Sequence, residues 1–260
     1  MEALSPDIVI GMKYLYSNMP YSDFGNYTFD TYLDYVQQGI YLWENSPYVK
    51  NYPELYFLNY VLFHRTNDEE IKPCRTYFWE KIKDKVQGKT MVEAALEINH
   101  WCAGEVMYQG TDMRTGSALE IYRSGVGRCG EEAVFVVNVM RSAGIPARPV
   151  YVPRWSHCDD NHAWVEVWCD GDWHYLGACE PEAVLDKSWF TNAASRAMMI
   201  GSRWYDRAMP DEKVIGKDGM NRIINLLGKY AKTRWITITV EDLDGTPAAG
   251  AKVRAEVMNY

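Results

Sequence analysis

The sequence predicts an α+β fold in which one central buried helix packs against an antiparallel sheet, with a helical region before it. Three observations lead to this prediction. Residues 130–143 form a run that is apolar on most sides and too long for a strand. Three segments after this run have the composition of strands, and most of the first 112 residues have helical spacing. One buried helix followed by antiparallel strands is typical of the α+β class.

The first 112 residues are predicted to be mainly helical because their apolar residues recur at spacings of three and four. The clearest segments are SDFGNYTFDTYLDYVQQGIYLWEN, EEIKPCRTYFWEKIKDKV and TMVEAALEINHWCAGEVMY. The sequence contains no internal repeat.

The central helix has recognisable signals at both ends. Ser117 and Glu120 form a capping box for a short preceding helix, which Gly125 ends. The long helix follows from residue 130, and Gly144 and Pro146 end it. Because it is apolar nearly all round, it must be buried.

The predicted strands are ARPVYVP, HAWVEVW and WHYLGAC, and the Asp-Gly pair between the last two predicts a hairpin. We divide the chain into an N-terminal helical region (1–79), a catalytic core (80–205), a helical extension (206–232) and a pair of strands (233–260). Such a pair would fit the start of a β-sandwich domain, because two strands alone are only marginally stable in water.

Composition excludes several classes of partner. The net charge is −8 and no Lys/Arg run is present, so neither nucleic acid nor an anionic membrane surface is expected to bind. No apolar stretch is long enough for membrane insertion. No signal peptide is expected within this chain, while localisation and oligomeric state stay open.

The six cysteines are scattered and contain no CxxC pair. A chain of 260 residues with 47% hydrophobic residues does not need a disulfide framework. We therefore expect reduced thiols, with Cys74, Cys102 and Cys169 in structural positions. Neither a structural zinc site nor a cofactor is expected.

Cys129 is the candidate nucleophile. It stands at the entrance of the buried helix, where unpaired N–H groups and the helix dipole favour a thiolate, and we expect its pKa to lie below the ordinary value of about 8.5. Glycines on both sides would let a substrate approach. The alternative is that Cys129 is simply a small buried hydrophobic residue.

A thiol nucleophile needs an imidazole to complete proton transfer. His162 is the candidate because it begins the strand HAWVEVW, which could bring it to the helix entrance. Of the other histidines, two lie in segments with a helical pattern (His64 and His100), one lies in a loop (His157) and one lies within a predicted strand (His174). Three tryptophans near this strand could line a cleft: Trp155, Trp164 and Trp168. Core packing is the more ordinary role of a tryptophan, and we favour it for Trp164 and Trp168.

The segment HCDDNH raises the alternative of metal binding, since it contains His157, Cys158, Asp159, Asp160 and His162. Ligands so dense in sequence usually form a solvated loop, because tetrahedral sites draw on separated elements. We do not expect a metal here.

The motifs GRCGEEA, AGIPAR and NHAWVEVWCDGDW, in this order, resemble the transglutaminase-like superfamily of papain-like thiol enzymes. The resemblance covers about residues 80–200. Within it, RCGE followed by Ala, and ACE after the hairpin, are most similar to peptide:N-glycanases and their bacterial relatives. The resemblance implies a papain-like core and an acyl transfer in which Cys129 attacks an amide carbonyl and His162 protonates the leaving nitrogen.

The family's usual Asp would fall at Gly177, so the sequence departs from the pattern there. The next acid is Glu180, and a bend at Gly177–Ala178 would turn its carboxylate toward His162. The predicted catalytic residues are therefore Cys129, His162 and Glu180. The implied function is a cysteine peptidase or amidase acting on a peptide, protein or glycopeptide. Alternatives are a glycan-releasing amidase, a protein cross-linking transglutaminase and an inactive binding module.

Overall fold

The computed structural model describes residues 4–219 and 221–254, and it confirms the α+β fold with a helical N-terminal region. Ten α-helices occur in these residues: α1 (Pro6–Asn18), α2 (Tyr21–Asn26), α3 (Phe29–Asn45), α4 (Glu54–Phe57), α5 (Arg75–Val86), α6 (Met91–Glu105), α7 (Ala118–Ser124), α8 (Cys129–Ser142), α9 (Thr191–Ala194) and α10 (Leu227–Tyr230). A 3-10 turn (Val49–Asn51) precedes α4, and a π-helical turn (Leu58–Leu62) continues it. None of the described helices is both long and apolar enough to cross a membrane.

Two short strands, β1 (Met107–Tyr108) and β2 (Val126–Gly127), pair in parallel. Six further strands form an antiparallel sheet in the order β5-β4-β3-β6-β8-β7. Their bounds are β3 (Ala147–Val152), β4 (His162–Cys169), β5 (Asp172–Leu176), β6 (Gly201–Trp204), β7 (Val214–Asp218) and β8 (Asn221–Asn225).

The central helix is α8, and every residue from Glu131 to Ser142 is buried. One side of α8 packs on β3 and β4, and the other packs on α5, α6 and α7. The helix is thus enclosed between the sheet and the helical layer, which explains its apolar composition.

Strand β4 contributes side chains to the hydrophobic clusters on both faces of the sheet. Ala163, Val165 and Val167 belong to the hydrophobic cluster around α8. Trp164 belongs instead to a second cluster on the opposite face, together with Trp155 and Phe190. Because side chains alternate along a strand, His162 is directed toward this second, aromatic cluster.

The hairpin between β4 and β5 has the predicted register. Asp170 and Gly171 form its turn with φ of 52° and 92°, as a two-residue type I′ turn requires. Cys169 pairs with Asp172 and Val165 pairs with Leu176. The hairpin therefore brings the residues that follow β5 back toward the start of β4.

The prediction that residues 206–232 form a helical extension is wrong. They contain β7 and β8, which continue the main sheet beyond β6, and only Leu227–Tyr230 is helical. The periodicity of a short apolar run does not distinguish a helix from a strand. Here the pairing of β8 with β6 favours the strand conformation.

The prediction of two strands in residues 233–260 is also wrong for the described part. Residues 233–254 contain one isolated bridge, between Glu241 and Pro247, around a turn. The end of the second predicted strand, residues 255–260, lies outside the described residues.

Candidate active site

Cys129 is the first residue of α8, as predicted. The preceding residue, Arg128, fixes the loop beside the helix entrance, because its guanidinium donates to the carbonyl oxygens of Asp112, Met113 and Arg114. The thiol is partly buried, and all six cysteines are free thiols. The thiol therefore lies at a structured but open helix entrance.

The expectation that the helix entrance lowers the pKa of Cys129 is wrong for this resting structure. Burial raises the pKa of the thiol above its usual value, and the carboxyl of Glu132 adds to the rise. The backbone N–H groups of Ala163 and Gly130 face the sulfur and oppose this effect without cancelling it. Desolvation outweighs the helix terminus here.

His162 is the first residue of β4, next to Ala163, whose N–H faces the sulfur. The helix entrance and the strand start therefore meet, as predicted. The imidazole itself is directed into the aromatic cluster, with ring centroids 4.8 Å from Trp189 and 5.0 Å from Phe190. Within the described residues, its ring makes no hydrogen bond to Cys129 or to a carboxylate, and its Nε2 is buried without a partner.

Burial lowers the pKa of His162 to about 4, and Asp160 opposes this only weakly. The side chain is 7% exposed. With the pKa of the thiol raised and that of the imidazole lowered, both groups are uncharged near neutral pH. The resting site holds a thiol and a neutral imidazole rather than an ion pair.

Glu180 ends a tight turn, so the bend expected at Gly177–Ala178 is present. The Glu180 N–H donates to the Gly177 carbonyl at 3.1 Å, and Cys179 has a φ of 57°. The amide of Asn99 fixes the turn by donating to the Gly177 carbonyl (2.9 Å) and accepting from the Cys179 N–H (3.1 Å). A side chain at position 177 would collide with the Glu180 carboxylate, so glycine suits this position.

The Glu180 carboxylate contacts a residue beside His162 rather than His162. Its Oε1 accepts a hydrogen bond of 2.9 Å from the Trp189 indole, and the Trp189 ring packs on the imidazole. Burial raises the pKa of Glu180, and this hydrogen bond opposes the rise. Glu180 thus reaches the imidazole through Trp189, and its role as the third catalytic residue stays a prediction.

Sequence reasoning missed two residues at the site. Trp189 lies in a loop with no local signal, and only the tertiary fold brings it to His162. Glu132 did have a signal, because it lies three residues after Cys129 and therefore on the same side of the helix. It is 4% exposed, and burial together with the charges of Glu180 and Glu131 raises its pKa to about 8.

The tryptophans considered for a cleft are mostly internal. Trp155 and Trp164 are buried and stack with their planes 4° apart, and Trp168 packs edge-on against Trp173. Trp189, in contrast, is 63% exposed. In the segment around His157, Arg154 pairs with Asp159, and no cluster of metal-ligating side chains occurs in the described residues.

Comparison with known proteins gives one family match. The model of the transglutaminase-like superfamily matches residues 80–178, which include Cys129 and His162 and end before Glu180. No curated protein matches this sequence. The finer resemblance to peptide:N-glycanases is not confirmed.

Several solved structures are similar to parts of the chain. A candidate cysteine protease from Cytophaga hutchinsonii is 16% identical, with 58% of this chain and 57% of that chain covered and a TM-score of 0.34. LapG from Legionella pneumophila is 17% identical, with 43% and 66% covered and a TM-score of 0.35. Red sea bream transglutaminase is 15% identical, with 68% and 32% covered and a TM-score of 0.29. The chain thus spans less than two thirds of the length of each.

Proposed function

We propose that the protein is a cysteine-dependent amide hydrolase, on the premise that residues 80–178 match the model of the transglutaminase-like superfamily. The observation that carries the proposal is the meeting of Cys129, at the entrance of a buried helix, with the strand start that bears His162. The Cys129 thiol is only partly buried, as a nucleophile that must meet a substrate requires.

The proposed reaction begins from an uncharged pair. His162 accepts the thiol proton as the sulfur attacks the amide carbonyl, and a C–S bond forms in a tetrahedral intermediate. The C–N bond then breaks, and the imidazolium gives its proton to the leaving nitrogen. Water attacks the resulting thioester, which releases a carboxylic acid and restores the thiol. The Cys129 N–H, at the first turn of α8, is the proposed oxyanion donor.

This reaction needs the imidazole to turn from the aromatic cluster toward the sulfur. Trp189 covers the imidazole and is mostly exposed, so a substrate that displaces Trp189 would free the ring. Glu180 holds the indole through its hydrogen bond and would then be released to accept from the imidazole. We propose this second role for Glu180 as the third catalytic residue.

Hydrolysis is proposed over cross-linking because a transamidation needs an amine to outcompete water at the thioester. The substrate class is a peptide, protein or glycopeptide amide. Release of the amine from a panel of peptides and N-glycopeptides would identify it, with Cys129→Ala as the matched inactive variant. Loss of one sulfur at a helix end should leave the fold intact.

A binding module without chemistry is the second candidate function, favoured by the unpartnered His162 Nε2 within an aromatic cluster. In that case the purified protein would cleave no member of the panel. It would instead bind one of them with the same affinity in the wild type and in Cys129→Ala.

A further inference from the structure

Glu132 is a buried carboxyl beside the thiol that the proposed mechanism does not use. It lies in the first turn of α8, three residues after Cys129, so the two side chains share one side of the helix. Only 4% of the residue is exposed to solvent. Within the described part of the chain it has no hydrogen-bonding or ion-pairing partner.

Its neighbour Glu131 is also buried in the first turn of α8, but it has hydrogen-bond partners. The Glu131 carboxylate accepts from the backbone N–H groups of Arg128 and Gly116, each at 3.2 Å, and from the Thr111 hydroxyl. Glu131 therefore stabilises the helix start and the adjoining loop. Glu132 has no such structural use, and burying a polar group without a partner is costly.

A second carboxyl acts on Glu132 from another element. Asn99 of α6 holds the turn at residues 177–180, and α6 packs on α8. The charge of Glu180, at the end of this turn, raises the pKa of Glu132. Two carboxyls in a water-poor site do not both ionise, so one keeps its proton. Glu180 accepts a hydrogen bond from Trp189, which favours its charged form, whereas no donor stabilises a charge on Glu132.

We propose that Glu132 is a positioning residue for the Cys129 nucleophile: with Glu180 it forms a carboxyl pair that holds one proton, and loss of that proton places a negative charge beside the thiol and suppresses its ionisation. The inference rests on the proposed function in taking Cys129 as the nucleophile. The titratable groups around the pair are Glu131 on α8 and the thiols Cys129 and Cys179. The charge of Arg128, which directly precedes α8, acts on Cys129. The His162 imidazole is directed away, into the aromatic cluster.

The pH dependence of the two groups supports this arrangement. The pKa of Glu132 is about 8, whereas that of Cys129 is raised above its usual value. On raising the pH, Glu132 therefore loses its proton before the thiol does. The thiol then has to ionise next to a carboxylate.

The test is the rate at which iodoacetamide alkylates Cys129 in the folded protein between pH 6 and pH 10, read by peptide mass spectrometry. Glu132→Gln keeps the shape without the charge, and Glu132→Leu removes both charge and polarity. Both variants should shift the pH profile of Cys129 alkylation to lower pH. The alkylation rate at pH 9 should rise by about threefold or more, which corresponds to a fall of half a unit in the pKa of Cys129. Glu97→Gln, a substitution of a partly exposed carboxylate on α6 that pairs with Lys89, should leave the profile where it is.

A carbon-13 titration of the Glu132 carboxyl tests the pairing itself. The wild-type midpoint should lie near 8, and Glu180→Gln should lower it. If Cys129 has the same pH profile in wild type, Glu132→Gln and Glu132→Leu, the inference is wrong whatever the amidase assay gives. If the profile shifts but no amide is cleaved, the coupling of Glu132 to the thiol stands and the proposed function fails.

Discussion

At the scale of single residues, burial rather than charge pairing dominates the site. The thiol of Cys129 and the imidazole of His162 are both held in their neutral forms because each loses solvent. The aromatic rings around His162 are the main cause for the imidazole, and Trp189 is the exposed member of that group. The site is thus organised for proton transfer during attack rather than for a preformed ion pair.

Trp189→Ala should raise the pKa of His162 from about 4 toward its ordinary value of about 6.5, because water regains access to the ring. Proton NMR titration of the His162 ring measures this directly. Trp235→Ala is the matched control, since Trp235 is an exposed tryptophan in the segment after α10. An unchanged His162 titration in Trp189→Ala would show that Trp189 does not shield the imidazole.

Glu180→Gln should reduce amide turnover by about tenfold or more while the melting temperature stays within a few degrees of wild type. A neutral amide still accepts from the Trp189 indole, but it holds an imidazolium less well than a carboxylate does. Turnover of the best substrate in the panel gives the measurement. Wild-type turnover in Glu180→Gln would remove Glu180 from the catalytic residues.

At the scale of elements, the site depends on three junctions: the start of α8, the start of β4 and the turn at residues 177–180. The first two could be predicted because a buried helix with a glycine-rich entrance and an Asp-Gly hairpin have local signals. The hairpin register even placed the turn correctly beside His162. The direction of the imidazole could not be predicted, since it depends on an aromatic layer built from distant segments.

Gly177→Ala should disturb the turn, because a methyl group there would lie 2.2 Å from the Glu180 Oε2 and 2.8 Å from its Cβ. We expect a loss of about 1–3 kcal/mol in the free energy of unfolding, typical of overpacking. Urea denaturation would measure it. Gly104→Ala is the control, as a Cβ there meets nothing within 4 Å, and helix propensity makes it neutral or stabilising. Equal stability of the two variants would contradict the tight packing of this turn.

At the scale of the whole molecule, one sheet extends from β5 to β7 and unites the predicted core with residues 206–232. Sequence patterns could not show this, because β7 and β8 are short and their pairing with β6 is a long-range property. For the same reason the effect of Glu180 on Glu132, which lie 48 positions apart in the sequence, could not be predicted from sequence patterns. The fold class, in contrast, follows from patterns that extend over many residues.

The stability of the whole protein should depend on the proton held by Glu132. Between the ordinary glutamate pKa of about 4.3 and the folded value of about 8, the folded state binds one more proton than the unfolded state. The free energy of unfolding contributed by this group therefore falls as the pH rises through this range.

Glu132→Gln should remove that dependence. Relative to wild type, the variant should gain about 3–4 kcal/mol between pH 5 and pH 8, since each pH unit within this range corresponds to about 1.4 kcal/mol. Urea denaturation at several pH values, with Glu97→Gln alongside, measures the difference. Parallel pH profiles for wild type and Glu132→Gln would mean that Glu132 is already ionised in the folded protein.

The central claim is that Cys129 forms a thioester with its substrate. Rapid mixing of the protein with a cleaved peptide or glycopeptide amide, followed by acid quenching and mass spectrometry, tests it directly. We expect an acyl adduct on Cys129 that is absent from Cys129→Ala and accumulates less in His162→Ala. Amide cleavage by Cys129→Ala at the wild-type rate, or an adduct on another residue, would contradict it.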